Sequence, residues 1–306
     1  MDEVGYPNDI QVIDAKENFE LLNKLRSYLP GKLGKVRPIV PVVRLHGAIG
    51  AASPLKSGLN LSSVEDALEI AFSFKEAPAV ALSINSPGGS PVQSHLIFKR
   101  IRQLADENNK QILVFVEDVA ASGGYMIALA GDDIIVDPSS IVGSIGVVSA
   151  GFGFTELLEK TGVQRRVYAS GDKKVTLDPF SPEVKEDIEH LKTLQHEIHE
   201  MFIDMVKSRR GDVLSDDENL FSGLFWTGAK ARDLGLVDGL GDLHSTIHER
   251  YGKETKVKFV GTKKRFLSRF IPGANLQGGL NEAVGTLPAA TLATLEEKSL
   301  WAKFGL

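Results

Sequence analysis

The chain of 306 residues contains no cysteine. This absence excludes disulfide bonds, catalysis by a thiolate and metal sites built on cysteine ligands. The sequence also contains no HExxH or comparable metal-ligand motif, and its histidines lie in contexts that favour solvated faces. We therefore expect neither a metal nor any other cofactor.

Long apolar runs are missing as well. The first thirty residues are polar, without the apolar core of a secretory signal, and no uninterrupted run approaches the ~18 residues of a membrane-spanning helix. The expected location is cytoplasmic or peripheral to a membrane. The formal net charge of −5 is mild and does not favour nucleic-acid binding, which would require a basic face or a recognised module.

The pattern of strands and helices predicts an α/β protein. A buried-type strand begins at Arg37, and "GSIGVVSA" over 143–150 is a further strand-like run. The strands alternate with helical segments such as Pro91 to Asn108 and a serine-capped helix that begins near Ser62. This alternation implies right-handed crossovers and a largely parallel sheet. We divide the chain into a helical extension over 1–35, which includes an amphipathic helix over 10–30, a domain over 36–260 and a peripheral tail over 261–306.

Two glycine-rich turns are expected at the carboxyl ends of strands, where open α/β sheets bind ligands. They are "INSPGGS", which contains Gly88 and Gly89, and "AASGGY", in which Ser122 precedes Gly123 at the start of a helix. Unpaired backbone N–H groups around a hydroxyl are the components of an oxyanion hole beside a nucleophile. A tight turn followed by a helix N-cap explains the same residues without chemistry.

A serine nucleophile needs a base, for which histidine is the usual residue. His46 ends a strand and could reach the site, whereas His196 and His199 lie in a charged helix whose solvated face accounts for them. Lysine is the other candidate, provided that burial keeps its amine uncharged. Lys173 and Lys174 follow a glycine in a turn, but adjacent lysines in a loop are commonly just exposed, so the residue chemistry alone does not choose a base.

Three motifs resemble the signal peptide peptidase A and SohB group of serine proteases, sometimes called protease IV. They are "INSPGGS", "EDVAASGGYMIALAGDDIIVDPSSIVGSIGVV" and "YASGDKKVTLDPFSPE", and the resemblance extends from about 38 to 252. It implies a Ser–Lys dyad on a ClpP/crotonase-like fold, a spiral of ββα units with a mostly parallel sheet. It also implies a ring-shaped homo-oligomer.

The resemblance assigns roles by motif position. Ser122 is the implied nucleophile and Lys174 the implied base, while Lys173 occupies a variable position that should face solvent. The implied oxyanion donors are the backbone N–H groups of Gly88 or Gly89 and of Gly123. Ser144 resembles the hydroxyl that holds the lysine amine, although a turn cap explains it equally well. Asn85 is expected to brace the glycine turn.

The implied function is that of a serine endopeptidase that forms an acyl-enzyme and cuts signal-peptide remnants or unfolded, small hydrophobic segments. Two alternatives remain open, namely a crotonase-like acyl-CoA enzyme and a catalytically degenerate ring or scaffold subunit. The basic and apolar stretch "KKRFLSRFIPG" in the tail could contact an anionic membrane surface or another subunit. A solvated tail is the simpler interpretation.

Overall fold

The computed structural model describes residues 37–50, 58–261 and 298–306. The predicted helix over 10–30, the extension over 1–35 and the basic stretch over 263–273 therefore lie outside the described residues. The strands are β1 (Ile39–His46), β2 (Ala79–Ser86), β3 (Gln111–Ala121), β4 (Asp133–Val136), β5 (Ile141–Gly143), β6 (Phe225–Thr227), β7 (Gly239–Leu240) and β8 (Lys256–Val260). The helices are α1 (Leu61–Phe72), α2 (Pro91–Asn108), α3 (Gly123–Ala128), α4 (Thr155–Thr161), α5 (Lys185–Arg210), α6 (Gly228–Asp233) and α7 (Leu243–Tyr251). Residues 298–302 are also helical.

These strands form one eight-stranded sheet whose main path runs β6-β5-β3-β2-β1-β8, with β4 joining β3 to β7. Every pairing among them is parallel except that of β5 with β6. Parallel neighbours joined through helices confirm the predicted α/β class with a mostly parallel sheet.

The central strand β3 changes its neighbour halfway along. It pairs first with β4 and then with β5, and the exposed residues Glu117 and Asp118 mark the change. The side chain of Asn85 braces this break, because its amide donates to the Asp118 carboxylate at 2.6 Å and its carbonyl accepts from Val119 N–H at 3.3 Å. The brace thus stabilises the final residues of β3, which lead directly into Ser122.

The two faces of the sheet bury separate apolar clusters. Val80, Leu82 and Ile84 of β2 pack with α1, α2 and α3 in the larger cluster, whereas Ala79 and Ala81 contribute to the smaller one on the other face. Side chains of a strand alternate between faces, so both clusters follow from the nearly continuous apolar sequence of β2.

Helix α3 is buried along its whole length. Tyr125 fixes it by donating its phenol hydrogen to the Leu236 carbonyl at 2.7 Å. Burial raises the pKa of this phenol well above its ordinary value, so the hydroxyl remains a donor. The helix that begins directly after Ser122 is therefore held rigidly against the core.

Two local predictions differ from the structure. Helix α2 spans the predicted residues, but α1 is capped by Asn60 and Ser63 in a capping box rather than by a serine alone. The strand expected over 143–150 is wrong, since β5 ends at Gly143 and residues 144–150 contain no strand. Positive φ angles at Gly143 and Ser144, 111° and 52°, turn the backbone out of the extended conformation.

Residues 147–184, which we call the arm, contain no buried residue. Their exposed large apolar side chains are Val148, Phe152, Leu157, Val163, Val167, Tyr168, Val175, Leu177, Phe180 and Val184. Phe154 stacks on Phe180 with ring centroids 5.4 Å apart, and Arg165 forms an ion pair with Asp178. The arm thus has local order of its own while presenting an apolar surface to its surroundings.

Among the described helices, none has the length and hydropathy needed to cross a bilayer.

Candidate active site

Ser122 lies at the turn between β3 and α3 in an unusual backbone conformation, with φ 51° and ψ −121°. Its N–H donates to the Gly143 carbonyl at 2.8 Å, and its carbonyl accepts from Met126 N–H at 3.0 Å. A non-glycine residue with positive φ costs about 1–3 kcal/mol and persists where surrounding bonds fix it, often at functional sites. A strained strand-to-helix turn of this kind exposes a serine hydroxyl in α/β hydrolases.

Glycine is required around Ser122 because backbone segments approach too closely for a side chain. A Cβ on Gly88, whose φ is +103°, would lie 2.9 Å from both the Ala121 carbonyl oxygen and the Ser122 Cβ. A Cβ on Gly124 would lie 2.5 Å from the Ser86 carbonyl oxygen. The "PGG" and "SGG" sequences therefore allow the glycine turn after β2 to lie directly against the start of α3.

The two glycine turns present backbone donors beside Ser122. The N–H of Gly88 donates to Ser86 Oγ at 3.3 Å. The N–H groups of Gly89 and Gly123 have no acceptor among the hydrogen bonds of the described residues. A Cβ added to Gly123 would lie 3.4 Å from Gly89 N, so the two free donors belong to one small region at the N-terminus of α3.

Ser122 and Gly89 line a cavity of about 630 Å³. Pro87, Pro91, Val147 and Val148 supply apolar surface, so the cavity combines a hydroxyl, free backbone donors and apolar walls. Such a combination suits a peptide whose carbonyl meets the donors while its side chain packs on the walls.

Ser144 and His199 line the same cavity. Ser144 is only 5% exposed and has a φ of 52°, and its N–H donates to the Leu224 carbonyl at 2.7 Å. His199 Nε2 lies 3.1 Å from the Ile145 carbonyl oxygen. The interpretation of His199 as a solvated helix residue missed this position, because periodicity does not tell which face of α5 covers the turn after β5.

Lys174 lies on the exposed arm, in a turn closed by a 3.1 Å bond from its N–H to the Gly171 carbonyl. It does not line the Ser122 cavity within the described chain. The side chain of Lys173 is 70% exposed and its Nζ lies 3.4 Å from Asp187 Oδ1. The structure of one chain thus brings together Ser122, Ser144 and the glycine donors, but not Lys174.

Other titratable residues do not join this site. His46 Nε2 lies 2.9 Å from Ser83 Oγ, which donates to Glu117 Oε1 at 2.5 Å; none of the three lines the Ser122 cavity. Of the seven histidines, all within the described ranges, only His199 lines it. The described residues contain no cluster of three or more histidine, aspartate or glutamate side chains suited to a metal ion.

Residues 298–306, which we call the tail segment, also reach the cavity. Leu300, Lys303 and Phe304 form part of its lining. Lys303 Nζ donates to Ser144 Oγ at 3.3 Å, and the Phe304 ring meets the edge of Phe225 in β6 with centroids 5.0 Å apart. A lysine amine therefore does contact Ser144, but it comes from the tail segment.

A sequence profile for peptidase family S49 matches residues 105–258. This range contains Ser122, Ser144 and Lys174, so the match covers the centre of the described site.

Two curated relatives are similar to this chain over most of its length. The Na(+)/H(+) antiporter NhaA of Brucella abortus is 56% identical over 292 residues, which are 94% of this chain and 40% of that protein. The probable protease SohB of Buchnera aphidicola subsp. Schlechtendalia chinensis is 32% identical over 224 residues, or 73% of this chain and 69% of that protein. The chain thus spans about 40% of the length of the first of these relatives.

Among solved structures, a variant of the 1510-N membrane-bound stomatin-specific protease superposes with a TM-score of 0.46 and 16% identity. The superposition covers 75% of this chain and 100% of that one.

Proposed function

The chain belongs to peptidase family S49, and from this premise we propose that it is a serine endopeptidase with Ser122 as nucleophile and Lys174 as base. The observation that carries the proposal is the strained backbone of Ser122, which sets its hydroxyl on a cavity beside the free N–H groups of Gly89 and Gly123. A serine that served only as a helix cap would accept a side-chain hydrogen bond from the first turn and would not need the strain, whereas Ser122 makes no such bond.

The proposed reaction proceeds through an acyl-enzyme. The uncharged amine of Lys174 accepts the Ser122 hydroxyl proton as Oγ bonds to the peptide carbonyl carbon, and the carbonyl oxygen becomes an oxyanion. The C–N bond then breaks and the lysine returns the proton to the leaving amine. Water, activated by the same amine, attacks the ester, releases the acid product and restores the Ser122 hydroxyl.

We assign the oxyanion hole to the N–H groups of Gly89 and Gly123. Both lack an acceptor among the described residues, whereas Gly88 N–H already donates to Ser86 Oγ. Donors fixed by the backbone are already oriented when charge develops on the carbonyl oxygen, and losing one commonly costs ~10²–10³-fold in rate. Gly88 acts in this assignment by allowing the close approach of the two turns.

The lysine is proposed to come from a neighbouring subunit of a homo-oligomeric ring. Lys174 lies on the arm, which exposes many apolar side chains, including Tyr168 at 91%. Apolar surface of this kind marks protein–protein contacts. Docking of the arm on a second copy would cover it and carry Lys174 toward that copy's Ser122, where Ser144 would hold the amine.

The proposed substrates are signal-peptide remnants and unfolded or small hydrophobic segments. Pro87, Pro91, Val147 and Val148 give the cavity apolar walls, which favour small and aliphatic side chains over charged ones. A peripheral membrane contact through residues 263–273 remains part of this proposal.

A fluorophosphonate probe tests the assignment, because it reacts with activated serine hydroxyls. We expect the probe to modify Ser122, as located by mass mapping, and Ser122→Ala to lose both labelling and at least ~10³-fold of peptide hydrolysis. Ser73→Ala, at an exposed serine of the helix C-cap after α1, is the control and should behave as wild type.

The same experiment separates the alternatives. A crotonase-like acyl-CoA enzyme would not need an activated serine, and a scaffold subunit would not turn over a peptide. Absence of labelling at Ser122 in a folded wild-type oligomer would therefore contradict the proposed function.

A further inference from the structure

We propose that the tail segment is an internal competitor of Lys174, occupying the place that the base from a neighbouring subunit must take. The inference rests on the proposed function, since it concerns how the Ser122 site is completed. It assigns to the cavity a second ligand, a short helical peptide that carries a lysine followed by an aromatic residue.

The contact that carries the inference joins Lys303 to Ser144. Lys303 Nζ donates to Ser144 Oγ at 3.3 Å, and Ser144 is the hydroxyl assigned to hold the amine of Lys174. A serine hydroxyl has one proton and two lone pairs, and Ser144 is only 5% exposed. A lysine side chain that reaches so enclosed a hydroxyl fills the approach to it, so Lys303 and the incoming Lys174 compete for one position.

The apolar residues of the tail segment add a steric obstacle. Leu300 and Phe304 line the cavity together with Ser122, and Phe304 packs edge-on against Phe225. A peptide or an incoming arm that entered this space would have to displace them. The segment therefore excludes substrate and base together while it is seated.

The attachment is weak enough to be reversible. Lys303 and Leu306 are exposed, while Trp301 and Phe304 are only half-buried. The contact of Phe304 with Phe225 adds only a small stabilisation, so a docking arm that buries more apolar surface can compete with the tail segment. Assembly and activation are coupled in this arrangement.

Rates of the full-length protein test the competition. Lys303→Ala should raise the initial rates of fluorophosphonate labelling and peptide hydrolysis by roughly 3- to 10-fold, since the apparent rate scales with the fraction of sites that are open. Lys298→Ala is the matched control, because Lys298 belongs to the same segment but does not line the cavity. Equal rates for Lys303→Ala and wild type would overturn the inference.

A second test detects occupancy without relying on activity. The chain has no cysteine, so the Phe225→Cys/Phe304→Cys variant carries a unique pair for a short bismaleimide with a cleavable linker. We expect a cross-link within one chain that blocks probe labelling, with labelling restored when the linker is cleaved. A variant that forms no intramolecular cross-link, or that labels equally well when cross-linked, contradicts the inference.

The two proposals fail in different ways. If wild type and variants alike show no Ser122-dependent hydrolysis, the proposed function is wrong, and the yield of the intramolecular cross-link alone decides whether the tail segment occupies the cavity. If hydrolysis depends on Ser122 but the rate is the same with Lys303 or alanine, the proposed function stands and the tail inference is wrong.

Discussion

The region around Ser122 and the arm that carries Lys174 differ in almost every physical respect. Helix α3 and the end of β3 are buried, and glycines at 88 and 124 permit backbone contacts that leave no space for a side chain. The arm has no buried residue, and its Gly151 and Gly153 have no neighbour within 4 Å of an added Cβ. In the described chain, the proposed nucleophile thus lies in a buried, tightly packed region, whereas the proposed base lies on a segment without a buried residue.

This difference suits the proposed division, in which one catalytic group is fixed within the chain and the other depends on assembly. The positive φ at Ser122 persists because β5, α3 and the glycine turn all constrain it. Lys174 is exposed, and the arm around it contains no buried residue that would fix its side chain within one chain. A catalytic pair divided between subunits would keep the proposed site inactive until those subunits meet.

The largest expected effect contrasts the two adjacent lysines of the arm. Lys174→Ala should lower peptide hydrolysis by at least ~10³-fold through loss of the base. Lys173→Ala should be mild for catalysis, since the Lys173 side chain is 70% exposed and pairs with Asp187 rather than lining the cavity. Steady-state kinetics of both variants give the comparison.

The lysine comparison also has a histidine control. His199→Gln should retain most activity, because His199 contacts the Ile145 carbonyl rather than serving as the base. A severe loss in this variant together with a mild effect of Lys174→Ala would show that the base assignment is wrong.

A matched pair of glycine variants tests the difference in packing between the Ser122 region and the arm. Gly124→Ala should lower the free energy of unfolding by about 1–3 kcal/mol through overpacking and reduce activity, because its Cβ would press on the Ser86 carbonyl and move α3. Gly153→Ala in the arm, where no neighbour lies within 4 Å, should leave both unchanged. Denaturant unfolding measures the first quantity, and a similar effect in both variants would contradict the packing difference.

The pH dependence tests the chemistry assigned to the arm. Only an uncharged amine can accept the serine proton, so the hydrolysis rate should rise from neutral to mildly alkaline pH. The rate at which the acyl-enzyme forms should show the same rise. A rate that is flat over this range, with the oligomer intact, would contradict a lysine base.

A smaller effect is expected from a single exposed aromatic residue of the arm. Tyr168→Ser should shift the assembly toward smaller species at a given protein concentration, because tyrosine is enriched among the few interface residues whose truncation costs about 2 kcal/mol or more. Light scattering across a dilution series measures the shift. A fully active wild-type monomer would contradict the proposed assembly outright.

Much of the fold could be predicted from the sequence, because its signals are local. The Pro91 to Asn108 helix has a serine N-cap, a proline at its first position and an αL C-cap at Asn109, and the apolar runs of β1, β2 and β3 mark the buried parallel strands. The strand expected over 143–150 was wrong because the positive φ at Ser144 arises from tertiary contacts, including the bond from its N–H to Leu224.

The candidate site could be predicted only where its residues adjoin along the chain. The glycine turn and the Ser122 turn were apparent as motifs, and family resemblance supplied the proposed roles of Ser144 and Lys174. His199 contacts Ile145, which lies 54 residues earlier in the sequence. Lys303 contacts Ser144, which lies 159 residues earlier. No local pattern encodes such contacts, because they depend on how α5 and the tail segment pack.

The central claim is that Ser122 uses the Lys174 of a neighbouring subunit as its base. Mixing two inactive variants tests this claim most directly. Ser122→Ala and Lys174→Ala proteins should each be inactive. After joint dissociation and reassembly in equal amounts, they should recover roughly one quarter of the wild-type rate, since random assembly places an intact serine beside an intact lysine at that frequency. A mixture that reassembles to the wild-type size and yet remains inactive would contradict the claim.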